Sequence, residues 1–469
     1  MSRSEKYKRL GSNTAILGAG TFASKVLVFL LMPFYTSVLS TGEFGTADLI
    51  AQTANLLIPL AAVGICDGIF RFTLDACDDD EDRRRVFSTG MAILLAGSLL
   101  LIGAVQVLRI SNTLSDYVLL IALYVIAANF HLAFANYLRA EGRIALFAVQ
   151  GILNTALTIA LNVLFLVTFE MGAVGYVLSV VVSDLTLTLL LFFVARLWRD
   201  FSVRSISAGT AKALLKFSIP YIPTTMLWLI TSVSDRYIVT YFCGESANGL
   251  YAAAYKLPTL LSLVSGVFVE AWHFSTVRDA TDDEKGEFFG TVYFHFMSMM
   301  FMGGAFLVAG AKIFTKLLLA DSYYSSWEFV PVLVMATVFS TLVSFLGSVY
   351  FLKKKSTSSM LTAMVGALVN VILNFVMIPS HGAMGAAVAT LISYMAVFAV
   401  RSYDTSLELK FPRHYGRLFI NSALLLAQIV VMLFEVPYWM FIEAGLLAVS
   451  VIFNGKALIL TVLRIFRKN

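Results

Sequence analysis

Fourteen apolar stretches separated by short polar connectors limit what this chain can fold into. They run over 12–39, 44–72, 86–108, 114–138, 144–169, 172–195, 212–242, 246–275, 287–311, 327–352, 357–378, 382–401, 415–434 and 437–462. A helix needs about 20 mostly apolar residues to cross a bilayer, and each stretch is close to that length. Composition points the same way. Hydrophobic residues make up 59% of the 469 and charged residues only 13%, against about 45–50% and about 25% in soluble domains. Mean hydropathy is +0.83. A water-soluble fold would lack the polar groups to cover its surface. An all-α polytopic membrane protein of fourteen transmembrane helices is expected. The first ten residues are polar and the first apolar stretch is too long for a cleavable signal peptide, so none is expected. The last two spans are interrupted by Glu435, Pro437, Glu443 and Lys456.

Basic residues give the orientation, because Lys and Arg concentrate in cytoplasmic loops. With the N-terminus inside, 26 of the 34 Lys and Arg fall in inner segments, among them Arg83–Arg85, Lys353–Lys355 and Arg401. Arg109, Lys312 and Lys316 are outer; Lys25, Arg71, Arg236, Lys256 and Lys456 lie within spans. Both termini are therefore expected in the cytoplasm. The net charge of +5 reflects topology beside an anionic leaflet, which excludes a nucleic-acid role.

The chain also repeats itself. DDDEDRRRVF at 78–87 resembles TDDEKGEFFG at 281–290, and MGAVGYVLSVVVSD from Met171 resembles HGAMGAAVATLISY from His381. Gly172, Gly175 and Ser183 align with Gly382, Gly385 and Ser393, and Leu161-Asn162 echoes Leu373-Asn374. Two copies of a six-helix unit are expected, 1–205 and 206–405, followed by two additional helices in 406–469. An even number of spans per copy makes the repeat parallel, with a pseudo-two-fold axis along the membrane normal. Such repeats mark transporters whose substrate path lies between the copies.

Charged and polar residues inside spans are costly, so each is a functional candidate. Lys25 is near mid-depth of span one, as a cavity-facing cation or one half of a buried ion pair. Asp48, Gln52 and Asn55 form one helical stripe on span two. On span eight Lys256, Thr259, Glu270 and His273 share a face, and Lys256 and Thr259 correspond to Gln52 and Asn55 in the repeat. Asp67 corresponds to Glu270 within one residue. The two acids are candidates for a cytoplasmic gate or ion-coupling site together with Arg71 and His273; the alternative for Asp67 is a local ion pair with Arg71. Span seven offers Thr225, Ser232, Asp235 and Arg236. Asp235 and Arg236 are adjacent, 100° apart on a helix, so one of them is expected to pair across to Lys256 or Lys25. Asp184 is expected to tie helices together. His131, His295 and His381 lack metal-ligand spacing and read as structural.

Missing features narrow the class further. There is no GxxxxGK(S/T) phosphate loop and no HExxH. Cys66, Cys77 and Cys243 form no CxxC, so neither zinc nor a disulfide framework is expected. Neither metal nor cofactor is expected, though coupling to Na+, H+ or the membrane potential is open. Outer loops are too short for a membrane polymerase or ligase active site.

The stretch SVSDRYIVTYFCGESANGLYAAAYKLPTLL from Ser232 resembles the span seven–eight junction of bacterial oligosaccharide flippases of polysaccharide biosynthesis, including those of the O-antigen type. KKKSTSSMLTAMVGALVNVILNFVMIPSHGAMGAAVAT from Lys353 is similar to a second signature of that family, with Asn370, Asn374, Pro379, Gly382 and Gly385 in register. YYSSW at 323–327 resembles the family's outer loop before span ten. These flippases belong to the multidrug/oligosaccharidyl-lipid/polysaccharide (MOP) exporter superfamily, with multidrug and toxin extruders (MATE) and peptidoglycan-precursor flippases. The resemblance implies a MATE-like fold of two six-helix lobes around a cleft lined by spans one, two, seven and eight. It implies a polyprenyl-pyrophosphate-linked oligosaccharide as substrate, flipped from inner to outer leaflet of the bacterial cytoplasmic membrane by alternating access. Lys25, Arg236 and Lys256 would hold the pyrophosphate, beside Asp48, Gln52, Asn55, Asp235 and Thr259. Membrane lipids, glycan polymerase and assembly proteins are the expected partners. The rival readings are a drug–cation antiporter and a peptidoglycan-precursor flippase, whose cleft is richer in arginine.

Overall fold

The computed structural model describes residues 29–76, 79–111, 113–275, 282–353 and 355–468, without the side chains of 221, 224, 232, 270, 271, 273–275, 282–285, 356 and 456–468. Nearly all of it is helix, with no strand among the described residues. Nine described helices are long and apolar enough to cross a membrane, or ten if one bent pair counts as a span. Span one lies mostly outside the described residues. The chain forms two compact units, Met1–Leu229 and Ile230–Asn469.

The first unit contains α1 (Met32–Val38), α2 (Thr41–Ala61), α3 (Ile65–Asp75), α4 (Asp80–Ala104), α5 (Val118–Ala140), α6 (Ile144–Asn162), α7 (Gly172–Val194) and α8 (Ala208–Ser218). A capping box starts α2: Glu43 N–H donates to Ser40 Oγ at 3.2 Å and Ser40 N–H to Glu43 Oε2 at 2.9 Å. α2 and α3 are the bent pair, at 48°. Pro59 near the end of α2 has no N–H to continue the ladder, and Val63 and Gly64 turn the chain at φ of 52° and 66°. The opposite side of the bend is held by α5: Asn129 Nδ2 donates to the Ile58 carbonyl at 3.2 Å and Asn136 Nδ2 to the Cys66 carbonyl at 3.2 Å. α4 crosses the end of α2 so closely that a Cβ on Gly97 would stand 2.0 Å from the Ala61 oxygen.

The sequence DDDEDRRR is a self-contained helix start. Asp79 caps α4 by accepting from Glu81 N–H at 2.8 Å and Asp82 N–H at 3.2 Å. Arg85 then pairs back to Glu81 and Asp82, at 3.0 and 2.7 Å. The connector 196–207 is tied to the same helix, since Ser202 and Ser207 N–H donate to Ser88 Oγ and Thr89 Oγ1 at 2.9 and 3.1 Å. α8, where the second sequence copy begins, packs on α3 and α4 of the first unit.

The unit boundary falls within α9 (Ile222–Cys243). Beyond it are α10 (Glu245–Ser275), α11 (Asp282–Ala309), α12 (Ala311–Leu318), α13 (Val330–Lys353), α14 (Ser356–Glu408), α15 (Tyr415–Leu433) and α16 (Trp439–Lys468). α14 has 53 residues, roughly 80 Å at 1.5 Å per residue, against a hydrocarbon core of about 30 Å. It therefore supplies two crossings, broken at Gly382 (φ 57°, ψ −144°), three residues after Pro379. The halves fold back on each other, because a Cβ on Gly366 would meet Val397 Cγ2 at 2.5 Å.

Glycines aligned by the sequence repeat share backbone geometry. Gly172 and Gly382 have φ of 53° and 57°. A Cβ on Gly175 or Gly385 would collide at 2.9 Å with Met171 Cβ or at 2.6 Å with the Met377 oxygen. The second unit's core is aromatic: Phe345 stacks on Trp272 and Phe296, with ring centres 5.6 and 5.1 Å apart.

Candidate functional site

In the first unit the stripe Asp48, Gln52, Asn55 lies on one face of α2, as its spacing requires. Asp48 is buried, and Gln52 Nε2 donates to its Oδ1 at 3.4 Å. Asn55, one turn on, is exposed. The amide thus holds the acid while the end of the stripe stays open. Lys25 is outside the described residues.

A second polar group, deeper in this unit, joins three helices. Asp184 on α7 is 3.0 Å from His131 Nδ1 on α5 and accepts from Asn154 Nδ2 on α6 at 2.9 Å. His131 Nε2 meets Gln150 Oε1 at 2.7 Å, and Ser183 Oγ donates to the Asn154 carbonyl at 3.0 Å. Asp184 therefore ties helices together, and His131 is structural. Gln150 and Asn154 were not singled out in the sequence; their four-residue spacing on α6 was the available signal.

In the second unit Asp235 and Arg236 are both buried. Their adjacency resolves as the helix geometry demands. The Asp235 carboxylate accepts from the Arg236 backbone N–H at 2.9 Å and from Tyr251 Oη at 2.6 Å. The Arg236 guanidinium lies instead over the rings of Tyr255 and Tyr251, 4.8 and 5.6 Å from their centres. A cation over an aromatic face is stabilised by the ring quadrupole, more so away from water. These tyrosines were not singled out in the sequence beside Asp235 and Arg236. They stand at positions 251 and 255 of α10, on the stripe that continues to Thr259, so the i, i+4, i+8 spacing was visible in the sequence.

Lys256 is half-buried and Thr259 exposed on the same helix. The Thr259 hydroxyl bonds its own helix, donating to the Tyr255 carbonyl at 2.8 Å. Beneath Asp235, Ser234 Oγ donates to Asn370 Oδ1 at 2.6 Å, Asn374 Nδ2 donates to the same oxygen at 2.9 Å, and Asn370 Nδ2 donates to Thr390 Oγ1 at 3.3 Å. This chain fixes α9 against both halves of α14.

The proposed gate residues are only partly described. Asp67 is exposed on α3. Its alternative as an ion pair with Arg71 is corrected: Arg71 reaches Asp75 Oδ1 at 2.6 Å. Both Asp67 and Asp75 are four residues from Arg71, and the C-terminal one is taken. The side chains of Glu270, His273 and Ser232 lie outside the described ones.

One inner-loop acid is confined instead. The Glu141 side chain is 5% exposed, between Arg143 Nε at 3.2 Å and Arg83 Nη1 at 3.9 Å. Burial pushes its carboxyl above the usual range, while Arg143 opposes the shift. Arg401, counted among inner-loop topology charges, is 2% exposed inside the second unit. Its guanidinium donates to Thr362 Oγ1 at 2.8 Å, the Val343 carbonyl at 3.1 Å and the Ser359 carbonyl at 3.2 Å.

Solved structures share this fold. The lipid II flippase MurJ in an inward closed conformation superposes with a TM-score of 0.71 at 12% identity, covering 96% of this chain and all of that one, 100%. A multidrug resistance MATE family transporter of the MOP superfamily, inward-facing, gives 0.67 at 15% identity over 82% of this chain and 94% of that one. A MOP superfamily transporter from Pyrococcus furiosus gives 0.61 at 15% identity over 84% and 95%. No curated protein matches the sequence. The family model described as polysaccharide biosynthesis protein matches residues 10–273. More than half of the chain is covered, and this multi-pass membrane protein with a MOP-superfamily fold belongs to the polysaccharide biosynthesis protein family.

Proposed function

We propose that the chain is a flippase that moves a polyprenyl-pyrophosphate-linked oligosaccharide from the inner to the outer leaflet of a bacterial cytoplasmic membrane by alternating access. The observation that carries this reading is the buried Arg236 on its tyrosine bed, one helix from Lys256, in a chain of the polysaccharide biosynthesis family. Asp235 accepts from Tyr251 and a backbone N–H, and the Arg236 guanidinium over the tyrosine rings is the cationic element of the reading. A pyrophosphate is a multivalent anion that bonds such groups through charge-assisted hydrogen bonds. Inner-negative potential favours outward transfer of negative charge by about 2.3 kcal/mol per charge per 100 mV. Lys25 and Lys256 complete the cationic set, and the acids Asp48, Asp67 and Glu270 adjust its charge or carry a coupling ion.

The test uses the purified chain in liposomes with a fluorescent polyprenyl-pyrophosphate oligosaccharide, scored by the access of an external lectin. Lys256→Gln should slow translocation at least tenfold with melting unchanged. Equal rates in the two proteins would sink the cationic reading. Gradient-driven uptake of a cationic dye, without glycan transfer, would establish the antiporter.

A further inference from the structure

The two C-terminal helices carry a buried acid that the flippase reading does not use. Glu443, one turn into α16, is 2% exposed. Its Oε2 accepts from Gln428 Nε2 on α15 at 2.9 Å, and the same amide donates to the Ala305 carbonyl on α11 at 3.3 Å. Gln428 itself is 0% exposed. The other oxygens of the pair, Glu443 Oε1 and Gln428 Oε1, are buried without a hydrogen-bond partner among the described residues.

Counting donors shows what is lacking. An ionised carboxylate and an amide together present three acceptor oxygens and two N–H donors. One donor is spent on Ala305 and one on Glu443, so two acceptors are left over in a buried three-helix contact. A bare carboxylate there is costly, and without a cation beside it the group takes up a proton instead. A proton on Oε1 supplies one missing donor and removes the charge.

Among the described residues, neighbouring charged groups are too distant or already engaged. On α11, His295 is ten residues from Ala305, and on α15, Arg417 is eleven from Gln428, so each is roughly 15 Å along its helix. Arg417 is occupied by the Phe453 carbonyl and Asn454 Oδ1 of α16. Lys312 is ion-paired with Glu435, and its ammonium lies between the Trp327 and Trp439 rings, 4.2 and 4.4 Å from their centres. Glu287 begins the far end of α11. A calcium or magnesium site is a poor fit, because these ions take about six or more oxygens and this site offers three or four.

We infer that Glu443 is a proton-binding site: it holds a proton while α15 and α16 are docked on α11, and it releases it only when water reaches the contact. The inference is independent of what the chain carries.

Infrared spectra of the full chain in liposomes, titrated with pH, test this. The wild type should show a carboxylic-acid C=O band that persists well above the ordinary glutamate value of about 4.3, and Glu443→Gln should remove it. A wild-type spectrum with no such band overturns the proposal, as does a band unchanged in Glu443→Gln. If that variant does not fold, Gln428→Leu serves: it takes away the one donor to the carboxylate among the described residues, so the band should persist to higher pH, and an unmoved titration would assign it elsewhere. Translocation assays do not enter, so failure of the flippase reading would leave this result standing.

Discussion

In the first unit a buried carboxylate, Asp184, is held by a histidine and an asparagine drawn from two neighbouring helices. In the second unit a buried carboxylate, Asp235, sits beside an arginine in the same helix, and a tyrosine hydroxyl and a backbone N–H satisfy it. Helices of similar length, 23 and 22 residues, thus contain their charge in two ways. The Asp184 arrangement is a tie between helices, in which every partner is spent on another. In the Asp235 arrangement the neighbouring guanidinium lies over two aromatic rings. The difference is between an acid shared among three helices and an acid held by its neighbouring backbone and one tyrosine.

The comparison breaks first at Asp235. Asp235→Ala removes the acceptor of Tyr251 and the negative charge beside a buried guanidinium. Removing one partner of a buried charge pair costs about 3–5 kcal/mol, so this variant should show the largest drop in melting temperature. A loss no greater than that of an exposed-site control would mean that Arg236 is neutralised elsewhere. Asp184→Ala should cost less, about 1–3 kcal/mol for donors left unsatisfied in a buried site, and should leave translocation by the surviving folded protein unchanged. A translocation defect larger than the stability defect would move Asp184 into the functional set.

The two chain breaks extend the contrast. Gly382 adopts φ 57°, ψ −144°, a conformation nearly confined to glycine, so Gly382→Ala should destabilise by about 1–3 kcal/mol. At the α2–α3 bend the non-glycine residue in left-handed geometry is Val63, at φ 52°, next to Gly64 at 66°. A β-branched residue there is strained, and Val63→Gly should raise the melting temperature or leave it unchanged while making the bend easier to adopt. If Val63→Gly instead melts lower, side-chain packing at the bend outweighs its backbone strain.

Much of this was legible in the sequence because hydropathy and glycine placement act locally. Span 44–72 became the bent pair, and spans 357–378 and 382–401 became one broken α14 because Gly382 was already marked by its match to Gly172. Side-chain partners were legible only in part. Arg71 had acids four residues away on both sides, and spacing alone could not choose Asp75. Arg401 read as a loop cation because it ends an apolar run, yet the rotation of α14 turns it inward onto Thr362 and the Val343 carbonyl. Such choices depend on helix rotation and rotamer, which the linear pattern does not encode.

The smallest expected effect concerns the inner loop of the first unit, where an acid is neither fully paired nor exposed. Burial raises the Glu141 carboxyl above its ordinary value, against the pull of Arg143 and Arg83. Between the ordinary and the raised value the folded chain keeps a proton that the unfolded chain has released. This group's contribution is therefore most favourable below the ordinary value and declines as pH rises through that window. Glu141→Gln carries no titrating proton, so its melting temperature should fall less steeply with pH than that of the wild type over the same interval. The two curves should run parallel on either side of the window. Parallel curves throughout would mean that the guanidiniums of Arg143 and Arg83 cancel the burial, and that the first unit balances its inner-loop charges as fully as its buried ones.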